Sequence, residues 1–311
     1  MTVVDSPPPA SPAAIDAVPL RHPWRWVAAV VIIVLLGLFL YGVATNPSYR
    51  WSVFFEYLFN DRILMGVSNT LQLTVYSMVL AIVLGVILAV MRLSANPVFR
   101  SVSWVYLWIF RGTPIYVQLT FWGLIPTIYS KIQLGVPFGP SFFQLDLQAL
   151  SIPFLLATLG LALNEAAYMA EIIRAGISSV PEGQLEASTA LGMSWGMAMR
   201  RTVLPQAMRV IIPPTGNEVI SMLKTTSLVT AVPYTLDLYS IATREIAARE
   251  FEPVPLLLVA AAWYLAVTSL LMVGQFYLER YYSRGASRKL TTKQLEALAK
   301  AQTTQLGEPH V

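Results

Sequence analysis

Apolar residues occur along this chain in runs long enough to cross a lipid bilayer. An α-helix rises about 1.5 Å per residue, so about 20 apolar residues span the hydrocarbon core. Six such runs are predicted to be transmembrane helices, at residues 26–43, 71–91, 101–125, 152–173, 207–232 and 254–276. They follow one another through most of the chain. The pattern therefore predicts an all-α membrane protein with six transmembrane helices.

The two ends and the first apolar run divide the chain further. Residues 1–23 are rich in proline and are predicted to form a disordered cytoplasmic tail, followed over 24–63 by an extra N-terminal helix and an external loop. Residues 64–284 form the predicted transmembrane domain. Residues 285–311 form a polar cytoplasmic tail, in which 289–302 could be a short surface helix. A cleaved signal peptide is the alternative for the first run, but its apolar core is too long and no A-x-A pattern follows it.

The distribution of lysine and arginine predicts the orientation in the membrane. With the N-terminus inside, twelve Lys or Arg residues lie at the cytoplasmic edges of the predicted helices and five lie in the opposite loops. Such an excess follows the positive-inside rule. Both termini and the loop between the fourth and fifth helices are therefore predicted to be cytoplasmic.

Composition agrees with this class and restricts the chemistry. Hydrophobic residues make up 56% of the 311 residues, charged residues only 12%, and mean hydropathy is +0.60, whereas about a quarter of the residues in a soluble domain are charged. The chain has no cysteine, which excludes disulfides and thiolate metal sites. Its two histidines, His22 and His310, lie in the predicted tails, so we predict no metal site and no catalytic residues. The net charge of +4 suits membrane edges better than nucleic acid.

Five polar residues lie near the middle of three predicted helices. They are Arg111 in the third helix, Asn164 and Glu165 in the fourth, and Asn217 and Glu218 in the fifth. An ionisable side chain at this depth costs about 3 kcal/mol on insertion scales, so such residues usually face one another or a polar cavity. We predict that the five line a substrate path. The alternative is that Glu218 permanently pairs with Arg111 or Lys224 to hold the helices together.

Two local patterns add detail to these helices. Pro213, Pro214 and Gly216 come just before Glu218 and are predicted to break or kink the fifth helix. Broken helices at mid-membrane depth line substrate cavities in transporters. On the fourth helix, Glu171 and Arg174 are three residues apart and are predicted to form an ion pair.

A polar, helix-forming stretch separates the fourth and fifth predicted helices. Residues 181–205 read PEGQLEASTALGMSWGMAMRRTVLP. The spacing resembles the cytoplasmic coupling loop of ABC importer permeases, which is written E-A-A, three residues, G, nine residues, I-x-L-P. The matching positions are Glu186, Ala187, Gly192, Leu204 and Pro205. Two positions depart from the pattern, because Ser188 stands in place of alanine and Thr202 in place of isoleucine. We predict a short helix over 186–191, followed by a tight turn at Gly192.

Three longer stretches extend this resemblance to roughly residues 64–282. They read WIFRGTPIYVQLTFW, NEAAYMAEIIRAGISSVPEGQLEASTALGMS and LPQAMRVIIPPTGNEVISMLKTTSLV. Together they resemble the permease subunits of polar amino-acid ABC importers, the branch that serves histidine, glutamate, glutamine, arginine and opines. The family core has five helices and an external N-terminus. The extra first helix of this chain places the N-terminus inside without altering that core.

The resemblance implies an assembly of several proteins in the inner membrane. It implies a second permease subunit, identical or related, two ATPase subunits gripping the coupling loop, an external solute-binding protein and an amino-acid substrate. No G-x-x-x-x-G-K-[ST] phosphate loop occurs in the chain. We therefore expect no cofactor in this chain, and ATP and magnesium bound by the partner ATPase.

Other functions remain open at this point. A permease for an opine or another small polar solute would share the same motifs. An ion-coupled secondary transporter would explain the charges within the membrane but not the loop over 181–205. A membrane-embedded enzyme would need a nucleophile and base or a metal cluster, and the sequence shows neither. Three carboxylates, on Glu165, Glu171 and Glu218, face two cations, on Arg111 and Lys224, which favours a cationic or neutral amino acid over glutamate.

Overall fold

A computed structural model describes residues 23–129, 131–136, 139, 141–146 and 152–282. The described residues are mainly helical, which confirms the predicted fold class. The helices are α1 (Pro23–Thr45), α2 (Trp51–Leu58), α3 (Asp61–Leu93), α4 (Pro97–Gly112), α5 (Ile115–Ile128), α6 (Pro153–Ser178), α7 (Glu182–Ala190), α8 (Trp195–Ala198), α9 (Leu204–Thr225), α10 (Leu238–Ser240), α11 (Ala247–Glu250) and α12 (Pro253–Tyr282). The tail predicted over 1–23 lies outside the described residues except for Pro23, and the surface helix predicted over 289–302 lies wholly outside them.

One β-hairpin, which the sequence patterns did not predict, interrupts the helices. It pairs β1 (Lys131–Gly135) with β2 (Ser141–Asp146) in antiparallel register, with Lys131 opposite Asp146. The register is irregular between Leu134 and Gly135. The hairpin follows α5 and precedes α6, so it occupies the connection between the third and fourth predicted spans.

The chain divides into two compact units, Met1–Tyr49 and Arg50–Val311. In the first unit, the described part consists of α1 and a short 3-10 turn over Pro47–Tyr49, and no residue of α1 is buried. Its sequence is apolar on every side. A helix with this composition suits a lipid environment, because it has no polar face to turn toward water.

In the second unit α6 is the central helix and packs against α3, α4, α5 and α9. Small residues allow these helices to approach closely. A Cβ atom added to Gly85 of α3 would lie 2.6 Å from the Cβ atom of Met169 and 3.1 Å from the amide nitrogen of Ala170. Substitution at Gly85 would therefore push α3 away from α6.

The structure corrects the limits of two predicted spans. The second begins at Asp61 instead of residue 71, and the side chain of Asn60 caps it by accepting a hydrogen bond of 2.9 Å from the Arg62 amide. The third, predicted as one helix over 101–125, is two helices separated at Thr113 and Pro114. Proline has no amide hydrogen and restricts the residue before it to extended conformations, which ends α4 there.

Four described helices are long and apolar enough to cross a membrane. They are α1, α3, α6 and α12. The remaining predicted spans correspond to the shorter pieces α4 and α5 and to α9, which carries Arg209, Glu218 and Lys224. Six crossing helices and two cytoplasmic termini therefore remain predictions.

Two ion pairs connect segments that the charge pattern assigns to the external side. Arg50, before α2, pairs with Glu252, and Arg62, in the first turn of α3, pairs with Glu245. The indole nitrogen of Trp263 also donates a 2.7 Å hydrogen bond to the Leu58 carbonyl. These contacts place the start of α3 beside the segment that leads into α12, as expected of two loops on one side of a membrane.

Candidate functional site

The predicted coupling segment folds as a helix, a turn and a second helical run. Helix α7 spans Glu182–Ala190, which confirms a short helix here but begins it four residues earlier than predicted. Glu186 and Ala187 are exposed on its surface. Gly192 follows with a φ of +78°, and a Cβ atom added there would meet nothing within 4 Å. This left-handed conformation favours glycine, so the turn explains the residue type at this position.

The last two motif positions start the helix that returns toward the membrane. A π-helical turn over Met199–Val203 connects α8 to α9, and Leu204 and Pro205 occupy the first turn of α9. Pro205 cannot donate the hydrogen bond that a continuous α-helix requires from its amide. The first turn of an α-helix accepts proline, because the amide at this position has no partner within the α-helix.

The two positions that depart from the coupling motif contact each other. The hydroxyl oxygens of Ser188 on α7 and Thr202 in the π turn are 2.8 Å apart. Ser188 is 4% exposed, and its hydroxyl also lies 2.8 Å from the Gln184 carbonyl. A second polar contact runs beside the first, because the side-chain amide of Gln206 lies 3.3 Å from the Gln184 side-chain oxygen. A pair of hydroxyls thus connects the two arms of the segment.

A cavity of about 770 Å³ lies between the coupling segment and the C-terminal ends of α3 and α6. Its walls include Leu93 at the end of α3, Val180 after α6, Leu185 of α7 and Trp195 of α8. The main contacts of α7 within the described residues are with α8 and the π turn. Helix α7 is therefore held mainly by its own return arm.

Deeper in the helical core, two carboxyl groups from different helices meet. Glu165 of α6 is 7% exposed, and Glu218 of α9 is half-buried. The two carboxyl groups lie close enough to interact with each other. The Oε1 atom of Glu165 has no hydrogen-bond partner among the described residues. Two carboxylates in contact repel each other, so the pair favours a shared proton or a cation.

Asn164 instead stabilises the break between α4 and α5. Its Nδ2 atom donates to the Phe110 carbonyl at 3.0 Å and to Gln118 Oε1 at 3.0 Å. Gln118 Nε2 donates to the same Phe110 carbonyl at 2.9 Å. Pro114 lies four residues after Phe110 and has no amide hydrogen for that carbonyl, so two side chains take its place. Gln118 was not among the residues predicted from the sequence, although a polar residue four positions after a proline in an apolar run indicates such a contact.

Arg111 lies at the end of α4, not in the middle of a continuous span. Its side chain is exposed, and its guanidinium carbon lies 5.5 Å from the ring centre of Tyr168, a cation–π distance. The alternative, a pairing of Glu218 with Arg111 or Lys224, does not occur within the described residues, where Glu218 faces Glu165. The predicted ion pair between Glu171 and Arg174 is confirmed, with a shortest nitrogen–oxygen distance of 2.5 Å.

The prolines were predicted to break or kink the fifth helix, and the break is wrong, because α9 continues through both of them. The Nε2 atom of Gln275 on α12 donates a 2.7 Å hydrogen bond to the Pro213 carbonyl. A side chain at Gly216 would overlap the amide of Gln275. The two helices are thus in close contact here, with a polar side chain of α12 bonded to the backbone of α9 next to the prolines.

Asn217 lies on a different side of α9 from Glu218. It is exposed and lines a groove of about 370 Å³ between α9 and α12, together with Ser221, Lys224 and Glu279. The structure therefore does not unite the five predicted path residues in one cavity. It brings together Glu165 and Glu218, and it places Asn164, Arg111 and Asn217 in three separate surroundings.

Known proteins resemble this chain over most of its length. A family model described as the inner membrane component of binding-protein-dependent transport systems matches residues 81–284. The arginine transport system permease protein of Corynebacterium glutamicum is 60% identical over 294 residues, covering 94% of this chain and 91% of that protein. The histidine/lysine/arginine/ornithine transport system permease protein of Escherichia coli is 38% identical over 210 residues, covering 67% of this chain and 83% of that protein.

The fold also has a counterpart among solved structures. A crystal structure of an amino acid ABC transporter with histidines matches with a TM-score of 0.59 and 32% identity. The match covers 71% of this chain and 94% of that chain. The resemblance that the motifs indicated is thereby confirmed in both sequence and fold.

Proposed function

This chain belongs to the family of inner membrane components of binding-protein-dependent transport systems, and we propose that its substrate is a cationic amino acid such as arginine. The protein is the permease subunit of an ABC importer. The observation that carries the substrate proposal is the contact between the Glu165 and Glu218 carboxyl groups. Two carboxylates in a low-dielectric core bind a guanidinium or ammonium group more readily than a third carboxylate.

The names of two relatives support a cationic amino acid as the substrate. The Corynebacterium glutamicum protein is an arginine permease, and the Escherichia coli protein serves histidine, lysine, arginine and ornithine. The amino acids in these names carry a positive side chain or one that can become positive, and arginine is common to both. Glu165 and Glu218 would contact that charge, while Arg111, Asn164 and Asn217 are proposed to border the path at other points.

Transport by this permease is proposed to depend on three further kinds of protein. A pair of ATPase subunits would bind ATP and magnesium and grip α7, with Glu186, Ala187, Gly192, Leu204 and Pro205 shaping the contact. An external solute-binding protein would deliver the substrate. A second permease subunit, identical or related, would complete the path, since closed two-fold pairs are the commonest assembly. The exposed stripe of Asn217, Ser221 and Lys224 supports such a pair, because polar side chains at this depth need a partner or a solvated cavity.

Uptake in proteoliposomes tests the proposal against its alternatives. The purified complex, with its ATPase and binding protein, is expected to accumulate labelled arginine only when ATP is present on the ATPase side. Competition by unlabelled lysine, glutamate and an opine would then rank the substrate classes. Uptake driven by an ion gradient without ATP would contradict the transport mechanism, and stronger competition by glutamate than by lysine would contradict the substrate class.

A further inference from the structure

The contact between Ser188 and Thr202 carries an inference beyond the motif that contains it. Both residues occupy positions where the coupling pattern has an apolar residue, and both carry a hydroxyl group. Their oxygens are 2.8 Å apart, although the residues lie in different helical segments. Ser188 is buried and Thr202 is partly buried, so water competes little for this hydrogen bond.

The pair connects α7 to a continuous helical path that reaches the carboxyl pair. Thr202 lies in the π turn, which runs directly into α9, and α9 continues without a break to Glu218 and beyond. Helix α7 has few other attachments, because a cavity of about 770 Å³ lies between it and the ends of α3 and α6. A displacement of α7 therefore reaches α9 chiefly through the residues that join the two arms.

We propose that Ser188 and Thr202 act as a positioning pair that makes α7 and the start of α9 move as one body when the ATPase displaces α7. The proposal rests on the proposed function, since it assumes an ATPase that acts on α7. The hydroxyl pair replaces the apolar contact that alanine and isoleucine would make in the motif. Neither residue contacts substrate in this account. The exposed contact between Gln184 and Gln206 adds to the same connection but is more open to water.

The two single variants should have different local consequences. In Ser188→Ala the Thr202 hydroxyl loses its partner on α7. In Thr202→Val the Ser188 hydroxyl keeps its contact with the Gln184 carbonyl, at 2.8 Å. Both variants remove the connection between the arms, so both should weaken coupling even if their stabilities differ. The double variant Ser188→Ala/Thr202→Ile restores the residue types of the motif and should restore an apolar contact.

A double-variant cycle in the complete reconstituted complex tests the proposal. Uptake and ATP hydrolysis are measured together, and their ratio is the number of substrate molecules imported per ATP. Each single variant is expected to lower that ratio about fivefold, the effect of one hydrogen bond of ordinary net strength. The double variant should return to within about twofold of the wild type, which additive effects would not allow. Thr202→Ser, which keeps the hydroxyl, should behave like the wild type.

Ser103→Ala is the matched control. Ser103 is also buried, and its hydroxyl donates a 2.8 Å hydrogen bond to the Leu88 carbonyl, between α4 and α3. The control should lower thermal stability to a similar degree without changing the import ratio. If the single variants keep the wild-type ratio, or if the double variant loses as much as the two singles combined, the positioning role is wrong.

Hydrogen exchange of the complex separates this inference from the proposed function. Amide exchange over 182–190 should rise in each single variant and return toward the wild-type rate in the double variant, whatever the substrate. Unchanged exchange in the single variants would overturn the inference even if uptake were ATP-driven. Failure of the wild-type complex to import arginine with ATP would overturn the proposed function, and the exchange comparison would still decide whether the pair joins the two arms.

Discussion

Glu165 on α6 and Glu218 on α9 present their carboxyl groups to each other inside the helical core. Such an arrangement is unfavourable unless a proton or a cation lies between the two groups. Neither carboxyl group is paired with a basic side chain within the described part of the chain. The pair is therefore suited to hold a positive group transiently.

Replacing Gly192 tests whether the coupling turn docks against another protein. A Cβ atom there meets nothing within 4 Å in the isolated chain, so bulk is tolerated sterically but would obstruct a partner. Gly192→Trp should leave membrane insertion intact and uncouple ATP hydrolysis from uptake. The measurement is ATP-driven uptake alongside ATPase activity in proteoliposomes.

Gly192→Ala is the control for backbone strain in that experiment. It imposes the same left-handed conformation on a residue with a Cβ atom, at a cost of about 1–2 kcal/mol, but adds little volume. Uptake should therefore fall much further in the tryptophan variant than in the alanine variant. Equal losses would indicate that strain in the turn, and not a docked partner, accounts for the effect.

The break between α4 and α5 should depend on the two side chains that satisfy the Phe110 carbonyl. Gln118→Ala or Asn164→Ala should lower the free energy of unfolding by about 1–3 kcal/mol, because a buried polar group loses a partner. Thermal unfolding of the detergent-purified complex measures this. Thr120→Val is the control, since the Thr120 hydroxyl bonds only to the Tyr116 carbonyl of its own helix in the described contacts. A similar loss in the control would argue against a special role for the amides.

Close approach of α12 to α9 should make Gly216 sensitive to small substitutions. Gly216→Ala is expected to destabilise the protein by about 1–3 kcal/mol, the usual cost of overpacking, because its Cβ atom would overlap the Gln275 amide. Combining it with Gln275→Ala should recover part of that loss, although the Pro213 carbonyl then loses its donor. Thermal unfolding of the single and double variants measures the recovery. A double variant less stable than the sum of the two singles would contradict the overlap.

Some parts of the structure could be predicted from the sequence and others could not. The coupling segment was predictable because it is local: residue spacing determines a short helix, and Gly192 determines a left-handed turn. The separation of α4 from α5 at Thr113 and Pro114 was not predicted, because a short interruption hardly lowers the average hydropathy over residues 101–125. Helix α9 continues through Pro213 and Pro214, and Gln275, distant in sequence, packs against it there and donates to the Pro213 carbonyl, a contact that no local pattern indicates.

The candidate path shows the same limit. Glu165 and Glu218 were predicted to lie together from their similar depth, and they do. Depth alone does not show which side of a helix a residue occupies. Asn164 and Asn217, which directly precede Glu165 and Glu218, lie on other sides of their helices. Asn164 is occupied by Phe110 and Gln118, a contact that depends on how α4 ends.

The most direct measurement of the central claim is ATP-driven arginine uptake by Glu218→Gln in the complete complex. Glutamine keeps the shape of the side chain and removes its charge, so uptake should fall about tenfold or more, as expected for one charge-assisted contact. Stimulation of the ATPase by the binding protein should persist. Glu252→Gln, which removes one charge from the ion pair with the mostly exposed Arg50, should retain most uptake. Unchanged uptake in Glu218→Gln would contradict the account, as would poor folding of that variant rescued by neutralising Arg111 or Lys224.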